Sequence, residues 1–429
     1  MAAQIGTRVS NNRGAGMPTV LAGTFYGWRV VAATFVLAVF GLGMGFHGPP
    51  IFLHVVHEDR GWSLTLVSTA VTAHFLVGAL VAANLPALYR RFGIPTVTKF
   101  GAVLMGLGVF GWATAVSPWH LFTATLLSGA GWVTMGVAAV NAIVSPWFVR
   151  ARPAALAVAY NGVNIGGVIF APLWVASIGL MGFPTAAASI GILMVISVWV
   201  LCSRVLSRTP AQMGLMPDGD AVDSPPPTIT SPTAKPLPDG LLWRDFHFLT
   251  LAAGMSLGLF AQIGTIAHLY SLMVPALGTY HAGLAMGLVT TMAVVGRTGI
   301  GLLMPIDTDR RLLAAASYAV QIVASAAFVL AAGSSIPLLL LGVVLFGLAF
   351  GNGTWLPPLI AQVEFVPQDQ QRVVALIVGT SQAAFAFAPA IFGLIREHGT
   401  EAAPQLFVVA AIIQAAAMAC FLAGSGGSR

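Results

Sequence analysis

Arg297 lies inside an apolar run long enough to cross a bilayer, AGLAMGLVTTMAVVGRTGIGLLM, residues 282–304. An ionised side chain near a bilayer centre costs about 2.5–3.5 kcal/mol on insertion scales. A guanidinium cannot escape that cost by losing its proton. All 13 Asp and Glu residues fall outside the interiors of the apolar runs, Glu364 coming nearest, so no fixed negative charge offsets it there. Such a cation is expected to face a water-filled cavity and meet an anion. Its planar fork matches a carboxylate through two parallel hydrogen bonds. The competing reading is a side chain that snorkels to the interface, since Arg297 is only about two turns from Pro305.

Three histidines stand near or within apolar runs: His74 near the middle of the second, His47 toward the end of the first, and His268 in the later half of the seventh. Histidine titrates near neutrality, so each is a candidate to carry a proton, or else a hydrogen-bonded packing residue. Neutral polar residues would complete a pocket. Asn161 and Asn164 sit at i, i+3 spacing on one helix face, beside Gly162, Gly166 and Gly167. Asn141, Gln262, Asn352 and Gln382 are further candidates, each also suited to an interhelical hydrogen bond. Trp132 and Trp355 could wall a cavity or simply pack.

Other chemistries find little support. His54-x-x-His57-Glu58-Asp59 has metal-like spacing but falls where the first run meets a loop, so no metal site is expected. Cys202 and Cys420, near the ends of apolar runs, suit neither a disulfide framework nor a metal. Gly41-x-Gly43-x-Gly45 lies within an apolar run with no strand before it, and reads as a packing or gating element, not a nucleotide loop. No Walker motif, HExxH or Ser–His constellation is present, so the chain is expected to be no enzyme and to need no cofactor.

These residues must be positioned by membrane helices. Of 429 residues, 57% are hydrophobic and only 7% charged, against about 25% charged in soluble domains. Mean hydropathy is +0.89. A hydrocarbon core about 30 Å thick needs roughly 20 apolar residues per helix. By that measure twelve spans are expected: 28–49, 64–87, 96–116, 119–144, 154–178, 183–205, 246–273, 281–304, 312–332, 335–362, 373–395 and 402–423.

Of the 19 Lys and Arg, sixteen fall on the side holding both termini, Arg60 and Arg396 fall opposite, and Arg297 lies within. The basic side faces the cytoplasm in such proteins, so a multi-pass protein of the cell's inner (plasma) membrane with both termini cytoplasmic is expected. The same distribution explains the net charge of +6 without nucleic acid. Residues 1–25 are expected to be a polar tail and not a cleaved signal. Residues 207–243, rich in Pro, Ser, Thr and Asp, form a linker between six-helix bundles at 26–206 and 244–424, and 425–429 end the chain.

The halves echo each other. WFVRARPAALAVAYNGVNIGGVIFAPLW enters span 5, and EFVPQDQQRVVALIVGTSQAAFAFAPAIF enters span 11. Phe148 matches Phe365, and Ala171-Pro172 matches Ala388-Pro389, at one offset. Parallel six-helix repeats around a midplane site resemble the major facilitator superfamily over essentially the whole chain. Tyr26-Gly27-Trp28, Gly61-Trp62-Ser63, the passage from Trp147-Phe148 to Ala155-Leu156-Ala157, RTPAQMGLMPDG and Gly296-Arg297 are similar to its monocarboxylate transporter and oxalate–formate antiporter branch. The resemblance implies an all-α membrane protein, twelve helices in two bundles, functional as a monomer.

The chain departs from that pattern in three places. The superfamily's Gly-x-Leu-Ala-Asp-Arg-x-Gly loop reads Pro86-Ala87-Leu88-Tyr89-Arg90-Arg91-Phe92-Gly93 here, with Arg90 in the acidic position. Many monocarboxylate carriers place an Asp one turn before the span 8 arginine, where this chain has Ala293. The lysines that some members carry in span 1 or span 11 are missing. One cation suggests one carboxylate, so the leading expectation is a proton-coupled symporter of a lactate- or pyruvate-like monocarboxylate. The proton would ride on a histidine or on the substrate's own carboxylate. An oxalate- or formate-like exchanger, a broad organic-anion exporter and a non-transporting membrane sensor are the alternatives.

Overall fold

The structure, a computed structural model, describes residues 25–219, 242–303 and 308–425. Among the described residues it is helical throughout, without strands. The first half comprises α1 (Tyr26–Gly45), α2 (Pro49–Arg60), α3 (Leu64–Phe92), α4 (Ile94–Thr114), α5 (Pro118–Trp132), α6 (Val137–Val144), α7 (Arg152–Met181) and α8 (Phe183–Arg204). The second comprises α9 (Phe246–Leu303), α10 (Arg310–Ala331), α11 (Ile336–Phe350), α12 (Leu356–Glu364), α13 (Pro367–Phe385), α14 (Ala388–Glu397) and α15 (Pro404–Ser425).

Ten helices among the described residues are long and apolar enough to cross a membrane. One of them, α9, is two passes: Gly278, at φ 74° and ψ 164°, reverses the chain in a conformation that a Cβ would strain. The short α11 and α12 together make one further pass. The total is twelve, so Tyr26 and Ser425 lie on one side, called the near side here; the opposite one is the far side.

Four passes are broken, and none of the breaks follows from mean hydropathy. Span 1 bends at 46–48 between α1 and α2, span 4 at 133–136, span 10 at 351–355 and span 11 at 386–387. Span 1 therefore continues as helix to Arg60, which places His54, His57, Glu58 and Asp59 on α2 and not on a loop. The Ala-Pro repeat is used unequally: α7 runs unbroken through Pro172, whereas the helix ends just before Ala388-Pro389.

Two apolar clusters show how the halves meet. The larger runs through the first half and crosses into the second by way of Ile263, Tyr270, Met286 and Phe392. The smaller stays in the second half's near end, around Leu251, Tyr318, Ile360 and Phe421. Large apolar residues such as Leu80, Phe100, Ile192 and Leu330 remain exposed on the outside, as a lipid-facing surface requires.

Candidate functional site

The two halves touch on the far side. Thr65 N–H donates to Glu397 Oε2 at 3.0 Å, Ala390 N–H donates to Thr72 Oγ1 at 3.1 Å, and the rings of His54 and Tyr270 meet edge-on at 5.3 Å. A Cβ at Gly393 would lie 2.5 Å from Ser68 Oγ. Phe75 and Phe385 close the middle at 6.1 Å. Among the described residues, every hydrogen bond and ring contact between halves lies at or beyond that level, and Asn141 and Asn161 on the near side are exposed. Among the described residues, the polar and ring contacts between the halves thus gather toward the far side.

Spans 5 and 8 set the register of that seam. A Cβ at Gly283 would meet Val175, one at Gly287 would meet Val168 and Pro172, and one at Gly167 would meet Thr290. Continuing this antiparallel register along the same faces, at three- and four-residue steps, carries span 5 through Asn164 to Asn161. It carries span 8 through Val294 to Arg297. The two asparagines and the arginine therefore fall on facing stripes, toward the near side of those contacts.

Arg297 is held by span 10. A Cβ at Gly296 would sit 1.9 Å from the Leu348 carbonyl oxygen, and one at Gly351 would sit 2.4 Å from that of Ala293. Spans 8 and 10 thus pack backbone to backbone, which explains why a glycine precedes the arginine. From this contact Arg297 Nε and Nη2 donate to the Gly351 carbonyl at 3.2 and 3.0 Å. The side chain is half-buried, and among the described residues it has neither a carboxylate partner nor a hydrogen bond from Nη1. The guanidinium is thus a positive charge with a donor, Nη1, left over among the described residues.

The other expected pocket residues divide. Trp355 is half-buried, with its indole 3.6 Å from where a Gly301 Cβ would lie, near the Arg297 turn. Gln382 is half-buried on α13. Asn141 accepts a hydrogen bond from Ser145 Oγ at 2.7 Å, toward the near end of span 4. Gln262 and Asn352, at 0% and 2% exposure, are buried inside the second half and not on the cavity wall. Trp132 is buried, its indole stacked on the His74 ring at 5.9 Å.

The three histidines differ in what their rings do. His74 is fully engaged: Nε2 meets the Gly45 carbonyl at 2.9 Å and Nδ1 meets Ser128 Oγ at 2.8 Å. His268 Nε2 donates to the Pro389 carbonyl at 3.1 Å, while buried Nδ1 has no partner among the described residues. His47 makes no side-chain hydrogen bond among the described residues, and its ring presses on Gly167, which Thr290 touches from the other half. Of the three, His47 lies on the seam.

Residues 33–391 match the family model described as Major Facilitator Superfamily. The chain belongs to the major facilitator superfamily.

Solved superfamily structures share its fold. The chain matches a bacterial homologue of the human lysosomal transporter Spinster, in an inward-facing and occupied conformation, with TM-score 0.71 and 12% identity over 94% of this chain and 98% of that one. It matches the nucleoside transporter NupG with TM-score 0.70 and 12% identity over 94% and 100%. Among curated proteins, Monocarboxylate transporter 13 of Bos taurus is 29% identical over 152 residues, and that of Rattus norvegicus 28%. Each alignment spans 35% of this chain and 35% of the relative's length.

In this superfamily member three of the sequence strings converge at one place. Phe25 and Tyr26 pack on Trp147 at 6.1 and 5.3 Å, and Trp28 packs on Phe148 at 5.2 Å. Asp218, from the RTPAQMGLMPDG string, accepts the N–H groups of Val149, Arg150 and Ala151 at 2.8–3.1 Å, just before α7. Partial burial pushes its carboxyl upward, but those three donors outweigh it and hold the group below the usual carboxylate range. The strings thus build a clasp at the near end of the first half. Sequence reasoning missed two polar ties, Thr65–Glu397 and Arg311–Glu364, because their partners are far apart in the chain. It also missed the Gly351 carbonyl, for which the Gly351-Asn352-Gly353 run was the available signal.

Proposed function

We propose that the protein is a secondary transporter of small monocarboxylates, working by alternating exposure of a site between its two halves, with Arg297 as the carboxylate ligand. The supporting observation is the half-buried guanidinium of Arg297, which has no carboxylate partner among the described residues and stands on the stripe that faces Asn161 and Asn164. The partial likeness to Monocarboxylate transporter 13 agrees with this substrate class. A carboxylate entering the seam would take the guanidinium fork, while the two asparagines offer neutral hydrogen bonds from the opposite half. Closure of the near side over this pair and loosening of the far-side contacts would then expose the site to the other compartment.

The near side, rich in Lys and Arg, is the cytoplasmic one in this reading. The two six-helix bundles are the rocking units in this reading; of the linker expected at 207–243, residues 220–241 lie outside the described residues. A proton accompanies the substrate on His47, the histidine at the seam whose ring is not tied to another polar group. Uptake of labelled lactate, pyruvate, formate and oxalate into proteoliposomes, with and without an inward pH gradient, tests the reading. Gradient-stimulated uptake of lactate or pyruvate is expected. Oxalate–formate exchange indifferent to the gradient would replace symport with exchange, and no uptake of any of the four would reject the substrate class.

A further inference from the structure

The Arg297 fork and the break in span 10 share one acceptor. In an unbroken helix the Gly351 carbonyl would receive the N–H of Trp355, four residues on. Instead Trp355 N–H donates to the Asn352 carbonyl at 3.2 Å, a tightened i to i+3 turn. Asn352 and Gly353 make the same short step, to the carbonyls of Ala349 and Phe350 at 3.2 and 3.3 Å. The Gly351 oxygen is left to Arg297 Nε and Nη2. A buried carbonyl deprived of its helical partner needs a donor, and the guanidinium supplies two.

We propose that the Gly351 carbonyl is an internal stand-in for the substrate carboxylate, holding the Arg297 fork until a carboxylate displaces it and lets the turn at Trp355 rewind. The proposal rests on the reading of Arg297 as the carboxylate site. A carboxylate outcompetes an amide oxygen for a guanidinium, because it brings an opposite full charge and two oxygens that take the planar fork through parallel hydrogen bonds. Once released, the Gly351 oxygen can recover the Trp355 N–H. Pro357 and Pro358 have no N–H to donate, so rewinding stops there and α12 swings as a unit with Trp355. Binding energy at Arg297 thereby becomes movement of the near-side end of span 10, which is the differential interaction a ligand needs in order to shift a conformational equilibrium.

A second observation points to the same turn. Gln262 is fully buried with neither amide atom partnered among the described residues, and its amide lies 2.8 Å from where a Gly353 Cβ would be. Asn352 Oδ1, one residue earlier, is likewise buried and unpartnered. Buried polar groups without partners are rare in a resting arrangement. A turn that moves its backbone past them gives both a chance to pair.

Thr354 is exposed in this turn, and a Thr354→Cys variant with Cys202 and Cys420 replaced by Ser reports its state through the rate of maleimide labelling. Lactate is the probe, and calorimetry on the same samples reports its binding. Saturating lactate is expected to slow labelling several-fold. Adding Arg297→Gln is expected to give the slow rate without lactate, because nothing then competes for the Gly351 carbonyl. Lactate binding that leaves the labelling rate unchanged overturns the stand-in role. So does an Arg297→Gln background that labels at the fast rate, and in both cases the arginine remains the ligand if its loss abolishes the lactate heat. Lactate heat that survives Arg297→Gln rejects the ligand reading, and the stand-in falls with it.

Discussion

Arg311, 1% exposed, grips both oxygens of Glu364, with Nε at 2.5 Å and Nη2 at 2.6 Å. Its other hydrogen bonds go to Thr250 Oγ1 at 3.0 Å and the His247 carbonyl at 2.8 Å. One guanidinium thereby ties the near ends of spans 7, 9 and 10. It is a buried structural charge among the basic residues of the near side.

Glu364→Ala is therefore expected to destabilise the second half. Removing one partner of a buried ion pair costs about 3–5 kcal/mol, and the remaining 22% exposure of Glu364 places the loss at the low end. A lowered thermal unfolding midpoint in detergent checks this; an unchanged midpoint would show that Thr250 and His247 suffice.

Gly296→Ala should be poorly tolerated although alanine favours helix. The added Cβ would lie 1.9 Å from the Leu348 carbonyl oxygen, a backbone atom that no rotamer change can move aside. Overpacking of this kind costs about 1–3 kcal/mol. Spans 8 and 10 should separate, with loss of transport and a lower unfolding midpoint. Wild-type uptake by this variant would contradict the backbone contact.

The far-side seal has a polar latch in Glu397, which accepts the Thr65 N–H near the start of α3, two residues after the N-cap Ser63. Glu397→Gln weakens a charge-assisted bond and the favourable pairing of an anion with a helix N-terminus. A cysteine placed at Ser68, buried under Gly393, should then react faster with a far-side thiol reagent than in the unaltered background. Equal rates would assign the seal to apolar packing alone.

The histidines separate cleanly by expected phenotype. His47→Gln should abolish stimulation by a pH gradient while leaving exchange of lactate for lactate within about threefold, the small change expected where no binding contact is lost. His74→Ala should instead lower stability, since it takes the ring's hydrogen bond from the Gly45 carbonyl and one from Ser128 Oγ, and removes the ring under Trp132. Intact gradient stimulation in His47→Gln would move the proton to the substrate itself.

Much of the architecture was legible because lipid imposes a simple rule on length and polarity. The twelve passes follow from counting apolar and charged residues. The breaks did not, since Gly351-Asn352-Gly353 differs little in hydropathy from the helices around it. Nor could composition distinguish cavity from interior: Gln262 and Asn352 look like Asn161 and Asn164 in sequence, yet the first pair is enclosed by spans of one half and the second lies on the face of span 5 that meets the other half. Pairings between distant segments, such as Glu397 with Thr65, had no local signal at all.

The central claim is that Arg297 carries the substrate carboxylate, and equilibrium binding of labelled lactate to the purified protein tests it most directly. Loss of hydrogen bonds to a charged partner is worth about 1.5–3 kcal/mol, so Arg297→Gln should weaken binding between roughly 10-fold and roughly 150-fold. Arg297→Lys should recover only part of it, having the charge without the fork. Lactate affinity unchanged in Arg297→Gln would contradict the account.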